Sequence, residues 1–146
     1  MLKGIPPILS PELLKTLCEM GHSDRLVIAD ANFPAMSVGQ PGRIIRCDGH
    51  GIPELLDAIL KVIPLDSYAT QPVSLMRPVQ GDPAVPPIWN RYKEIILHHD
   101  ARDESLIGYL ERFEFYEEAR QCYAVLATGE TALYGNLILQ KGVIGI

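Results

Sequence analysis

One histidine, two aspartates and a tyrosine in this chain are of types that carry acid–base chemistry. His22 follows a glycine in EMGH, Asp30 closes the apolar run RLVIAD, Asp66 lies in PLDSY, and Tyr116 lies in ERFEFYEEAR. Histidine can give or take a proton near neutrality. A carboxylate can hold an imidazole in one tautomer and support its charged form. Tyrosine, with a reference pKa of about 10, suits relaying a proton better than resting as an anion. Each residue also has a purely architectural reading. His22 could sit at a helix C-terminus and be favoured by the dipole. Asp30 could close an Asx-turn through Ala31 and Asn32, and Asp66 could form a turn after its proline. Tyr116 could be one more ring in the Phe113–Phe115 cluster, with its hydroxyl left at a pocket edge.

A second group of residues suits binding. Tyr134-Gly135-Asn136 precedes an apolar strand. Glycine allows close backbone approach, an aromatic ring offers a face to C–H groups, and an amide both donates to and accepts from hydroxyls. The trio fits a neutral polyol. Arg112 adds a cation just before the Phe113–Tyr116 segment.

Several other chemistries lack their motifs. There is no GxGxxG, no GxxxxGK[ST] and no GxSxG. His98-His99-Asp100 are consecutive on an expected helix and do not share a face. Asp48-Gly49-His50-Gly51 reads as a turn with His50 exposed. Without a CxxC or HxxxH pattern, no metal and no cofactor are expected. The 146 residues are 47% hydrophobic and 21% charged with a net charge of −5, which fits a folded soluble chain. With no cluster of basic residues, nucleic acid and anionic membranes are not expected partners. The opening MLKGIPPILSPELLK lacks the apolar centre and small-residue cleavage site of a signal peptide. Cys18, Cys47 and Cys122 read as reduced core residues of a cytoplasmic protein.

The elements that must position these residues follow from pattern. Ser10 as N-cap and Pro11 at the first position open a helix that buries Leu13, Leu14 and Leu17 and ends at Gly21. Strands are expected at Arg25–Asp30 and Gly42–Cys47, then a helix at Ile52–Ile63 and a strand over 71–79. After a proline-rich loop from Gly81 to Pro87, a helix is expected at Ile88–Leu97. A short strand at Leu110–Arg112, a helix at Phe115–Gln121, and strands at Cys122–Ala127 and Leu137–Leu139 complete the chain. Glu117 and Glu118 read as solvated helix-surface charges. The alternation predicts an α/β fold: one three-layer domain over residues 1–146, with helices covering a mixed, largely parallel sheet.

Taken in order, MLKGIPPILSPELL, EMGH, ADANFP, CDGHGIPELL, PLDSY, ERFEFYEEA and TGETALYGNLILQKGV resemble the ribose-pyranase/fucose-mutarotase family over nearly the whole chain. Arg112 and YGN resemble its fucose branch rather than the ribose branch, which tends to read YAN, and the match looks closest to the animal members. The loop from Gly81 to Pro87 carries the weakest similarity, and Asn32 stands where bacterial relatives often have histidine. The resemblance implies a sugar isomerase that opens and recloses the L-fucose ring to interconvert its α and β anomers. It implies His22 as proton donor, Asp66 as its supporting acid and Tyr116 as a catalytic tyrosine. It places sugar-binding positions at Asp30, Arg112, Tyr134 and Asn136. It further implies a ring-like homo-oligomer with active sites at subunit contacts. Ribose pyranase activity in the same site, or non-catalytic sugar binding, would use much the same residues.

One distance bears on that last implication. As a strand, Arg25 to Asp30 spans roughly 17 Å, so His22 and Asp30 lie too far apart for one small sugar to touch both within a subunit. The resemblance implies an answer: a site shared between subunits, with His22 and Asp66 from one chain and Tyr116 and most of the sugar-binding residues from its neighbour.

Overall fold

The computed structural model describes residues 1–146. Its elements, in chain order, are α1 (Pro11–Glu19), β1 (Arg25–Ala29), α2 (Ala35–Val38), β2 (Ile44–Cys47), α3 (Ile52–Leu60), β3 (Val73–Met76), α4 (Ile88–His99), β4 (Ile107–Leu110), α5 (Arg112–Arg120), β5 (Ala124–Thr128) and β6 (Leu137–Gln140). The strands form one sheet in the order β2-β5-β1-β6-β3-β4. β1, β2 and β5 run parallel to one another, and so do β3 and β4. β6 lies antiparallel between β1 and β3 and joins the two sets.

Alternation along the strands divides the core. Leu26 and Ile28 of β1 join Leu13 and Leu17 of α1, Leu55 and Ile59 of α3, and Tyr92 and Ile96 of α4 in one apolar cluster. Val27 and Ala29 point the other way, into a smaller cluster with Val38 of α2 and Phe115 and Ala119 of α5. β1 is therefore apolar along almost its whole length, as a strand covered on both faces must be. The three-layer α/β architecture with a mixed sheet agrees with expectation.

Local differences have physical causes. The β4 strand lies at Ile107–Leu110, not Leu110–Arg112, and Gly108 interrupts its apolar pattern. A side chain at 108 would run into Gln71, whose Oε1 lies 2.7 Å from where a Cβ would stand. The helix expected from Phe115 begins instead at Arg112. Its N-cap is Glu111, whose carboxylate accepts from the backbone N–H of Phe113 and Glu114, while Glu114 reaches back to the Glu111 N–H. A glutamate is an uncommon cap, so the helix start is masked in the sequence. α2 is a single turn, too short to show a period. Cys47 and Cys122 are buried, but Cys18 is exposed, because it lies off the Leu13–Leu17 stripe of α1. Glu118 is no free surface charge: it pairs with Arg25. No helix is long and apolar enough to cross a membrane.

Candidate functional site

Five of the seven candidate residues meet at one edge of the sheet. Asp30 follows the C-terminal end of β1, Met76 ends β3, Asn136 precedes β6, and Arg112 starts the helix that follows β4. Antiparallel insertion of β6 places its beginning at the same edge as the ends of its parallel neighbours, the edge where open α/β sheets bind ligands. A cavity of about 260 Å³ opens there. It is lined by Asp30, Arg112, Tyr116, Tyr134 and Asn136 together with the apolar side chains of Phe33, Met76, Val79 and Leu133.

Asp30 and Asn136 form a reciprocal pair at the cavity floor. The Asp30 N–H donates to Asn136 Oδ1 at 2.7 Å, and Asn136 Nδ2 donates to Asp30 Oδ2 at 2.9 Å. The other carboxylate oxygen accepts the Asn32 N–H at 3.0 Å, so Asp30 also makes the expected Asx-turn. Burial pushes the Asp30 carboxyl above the ordinary carboxylate range, against the donors from Asn32, Gly135 and Asn136. The pair leaves acceptor capacity on Asp30 and one N–H of Asn136 for a ligand's hydroxyls.

Asn136 is 2% exposed and holds Asp30, so it also supports the fold. Asn136→Ala should lower fold stability by about 1–3 kcal/mol, since it leaves a buried N–H and a buried carboxylate without their partner. Thermal or urea unfolding measures this. A variant as stable as the parent would mean that water replaces the amide.

Arg112 and Tyr116 are four residues apart on α5 and so share a face. Arg112 Nε donates to the Tyr116 hydroxyl oxygen at 3.3 Å. That leaves the tyrosine's own proton free, and it sets a guanidinium against any negative charge that develops on the phenol oxygen. The Tyr116 ring packs edge-on against Phe33 and Phe113, at centroid distances of 5.6 and 6.4 Å. The aromatic cluster holds the ring while the hydroxyl stays on the cavity wall.

Tyr134 is held in the left-handed region, at φ 56°, a strained backbone for a bulky residue. Trp89 Nε1 donates to its carbonyl at 3.0 Å, and the Tyr92 hydroxyl donates to the next carbonyl, Gly135, at 2.7 Å. α4 thus fixes the YGN turn from beneath.

The remaining two candidates, His22 and Asp66, lie at the opposite edge and do not line this cavity. His22 Nε2 is 3.1 Å from Asp66 Oδ1. Asp66 is 2% exposed. Burial alone would raise its pKa, but hydrogen bonds from the Tyr68 N–H, the Gln140 side chain and His22 hold it at about 2. Asp66 is therefore anionic at neutral pH and accepts from Nε2–H, so that in the neutral imidazole the lone pair lies on Nδ1. The turn through Tyr68 is also the one expected of Asp66.

The loop carrying His22 is pinned from several sides. Lys141 Nζ donates to the Leu17 carbonyl at the end of α1 at 2.8 Å, satisfying a helix C-terminus with a cation. The Ser23 N–H donates to the Lys141 carbonyl, and the Gly21 N–H to Asp24 Oδ2. Gly21 does not supply a left-handed cap as expected. The helix ends at Glu19 with Met20 extended, and Ser23 takes the positive φ. His22 is consequently a partner of Asp66 rather than a helix-dipole residue. Gly142 lets the end of β6 press on the Asp66 turn, because a Cβ there would meet the Leu65 carbonyl at 2.5 Å.

Two residues of this second cluster carry no pattern in sequence. Gln140 ends an apolar strand, donates to Asp66 Oδ2 at 2.8 Å, and is recognisable only once the antiparallel pairing is known. The Tyr68 ring lies 5.5 Å from that of His22 and is largely exposed. Elsewhere, His99 bonds Asp57 on α3 at 2.8 Å, and exposed His50 bonds Glu54 at 3.0 Å. His50 fastens its own exposed turn as expected, whereas His99 is partly buried and ties α4 to α3.

The chain is 51% identical to human fucose mutarotase, an alignment that covers 99% of this chain and 96% of the relative. The fucose mutarotase of Streptococcus pneumoniae, solved in complex with L-fucose, superposes with a TM-score of 0.93 at 51% identity, covering 99% of this chain and 100% of that one. Bacillus subtilis RbsD, solved with D-ribose, is more distant, with a TM-score of 0.71 and 25% identity over 99% of this chain and 100% of that one. A family model matches residues 3–144, and the chain belongs to the family that model describes, the RbsD / FucU transport protein family.

Proposed function

We propose that this chain is an isomerase that interconverts the α and β anomers of L-fucose, acting in the cytoplasm as a homo-oligomer whose sites are completed across subunit contacts. The observation that carries this reading is the cavity at the sheet edge, which gathers Asp30, Arg112, Tyr116, Tyr134 and Asn136 around a space of sugar size. The 51% identity to a fucose mutarotase solved with L-fucose supports the choice of sugar. The three free cysteines suit a reducing compartment.

The residues suffice for a balanced proton exchange. In ring opening, the free Nδ1 of a neighbouring chain's His22 takes the proton of the anomeric hydroxyl, and the Tyr116 hydroxyl gives its proton to the ring oxygen. The bond between the anomeric carbon and the ring oxygen breaks, and the open-chain aldehyde forms. The resulting imidazolium faces Asp66, and the phenolate faces Arg112. After rotation of the carbonyl, closure on its other face reverses both transfers. His22 is then the donor, so each group serves as acid in one half of the cycle and base in the other. Asp30, Asn136 and the Tyr134 ring hold the sugar by its hydroxyls and C–H face. A positioned acid–base pair is worth about 10²–10⁴-fold, roughly 3–6 kcal/mol, which is useful for a reaction that already proceeds slowly in water.

Saturation-transfer NMR on L-fucose tests this directly. Catalytic amounts of protein are expected to transfer saturation between the two anomeric proton signals. Binding without faster exchange would replace the isomerase with a sugar-binding module. The same measurement on D-ribose tests the second reading, a pyranase, which the 25% identity to RbsD supports less.

A further inference from the structure

Tyr134 does not offer its hydroxyl to the cavity. That oxygen accepts the Val79 N–H at 3.4 Å and donates to Asp82 Oδ2 at 3.2 Å. The other Asp82 oxygen accepts the Ala84 N–H at 2.9 Å, and the Asp82 N–H returns to the Val79 carbonyl at 3.0 Å. Gly81, at φ +92°, makes the turn possible. Asp82 is therefore the knot of a small loop and also its only side-chain tie to Tyr134.

The position of this loop gives the tie its meaning. Val79 lines the sugar cavity on one side. On the other it borders a separate hollow of about 560 Å³, which also includes Arg77, Gln80, Asp82 and Tyr109. The segment from 77 to 82 is the partition between the two. Beyond Arg77, whose N–H still donates to the Leu110 carbonyl of β4, no strand or helix holds it, because β3 ends at Met76 and α4 begins only at Ile88. Tyr134 is itself strained at φ 56° and anchored through its carbonyl by Trp89. A fixed phenol thus faces a loop with few other ties.

We propose that Asp82 is a positioning residue, latching the 77–82 segment onto Tyr134 so that Val79 stands as a wall of the sugar cavity. In this arrangement Tyr134 gives the sugar its ring, while its hydroxyl serves the loop. The latch deepens the sugar-site reading and acts on substrate affinity, since neither Asp82 nor the Tyr134 hydroxyl touches the transferring protons.

A double-mutant cycle with two readouts tests it. Asp82→Ala and Tyr134→Phe should each raise the KM for L-fucose anomer exchange by about three- to tenfold, the worth of one hydrogen bond, with kcat nearly unchanged. The double variant should fall well short of the product of the two single effects, because both cut the Tyr134–Asp82 bond, while each also removes one bond of its own: the Val79 N–H contact in Tyr134→Phe and the Ala84 N–H cap in Asp82→Ala. Asp82→Asn should keep near-parental KM: its amide can cap Ala84 through oxygen and meet the tyrosine oxygen through nitrogen. Independently of activity, amide hydrogen exchange of residues 79–84 should quicken in Asp82→Ala, in Tyr134→Phe and in the double variant. The latch is overturned by unchanged amide exchange, by single effects that multiply in the double variant, or by Asp82→Asn matching Asp82→Ala. A parent protein that fails to exchange L-fucose anomers would sink the sugar reading instead, and the amide exchange would still decide the latch.

Discussion

Tyr116→Phe is expected to slow L-fucose anomer exchange by about 10²–10⁴-fold, the usual yield of a positioned general acid or base, while leaving the protein folded. The substitution removes one oxygen. The ring keeps its edge contacts with Phe33 and Phe113, and the buried anchor of α5 is Phe115 next to it. What disappears is the proton that Arg112 leaves free by donating to the other side of the same oxygen. Sugar affinity should change far less than turnover, because Asp30, Asn136 and the Tyr134 ring remain. Saturation-transfer NMR gives the rate, and thermal unfolding checks the fold. An unchanged rate would reduce Tyr116 to a packing residue that happens to border the cavity.

The sequence was informative wherever burial or turn chemistry leaves a period or a punctuation mark. β1 could be read because both of its faces are covered, and α1 because Ser10 and Pro11 announce it; the Ser10 side chain does accept the Leu13 N–H at 3.1 Å. α5 could not, since a glutamate caps it, and the misplaced start put Arg112 on a strand. Once Arg112 is the first helical residue, its four-residue spacing from Tyr116 makes the pair intelligible. Asp30 and Asn136 could each be suspected singly, but their mutual hydrogen bonds span more than a hundred residues and follow only from β6 lying beside β1. Gln140 escaped notice for the same reason. The architectural readings of Asp30 and Asp66 as turn formers also hold alongside their place in the two clusters, because one carboxylate oxygen can close a turn while the other meets a partner.

The separation of those clusters leads to the most discriminating experiment. β6 begins next to Asn136 and ends at Gln140, the residue that holds Asp66. Four strand steps of about 3.3 Å put roughly 13 Å between the cavity floor and the His22–Asp66 pair. Asp30 belongs to the cavity side. A single sugar ring cannot bridge that gap within one chain, so the proposed reaction calls for the cavity of one protomer to face the histidine of another. His22→Ala and Tyr116→Phe proteins should each be nearly inactive alone. When subunits are exchanged between them at equal amounts, a site is complete if its histidine comes from a Tyr116→Phe chain and its tyrosine from a His22→Ala chain. Random assembly gives that combination in about a quarter of sites, so activity should return to about that fraction of the parent. Native mass spectrometry establishes that mixed oligomers have formed. If they have and exchange of the L-fucose anomers stays at the level of the separate variants, the two clusters do not serve one site, and His22 with Asp66 is a structural pair that ties the end of β6 to the loop before β1.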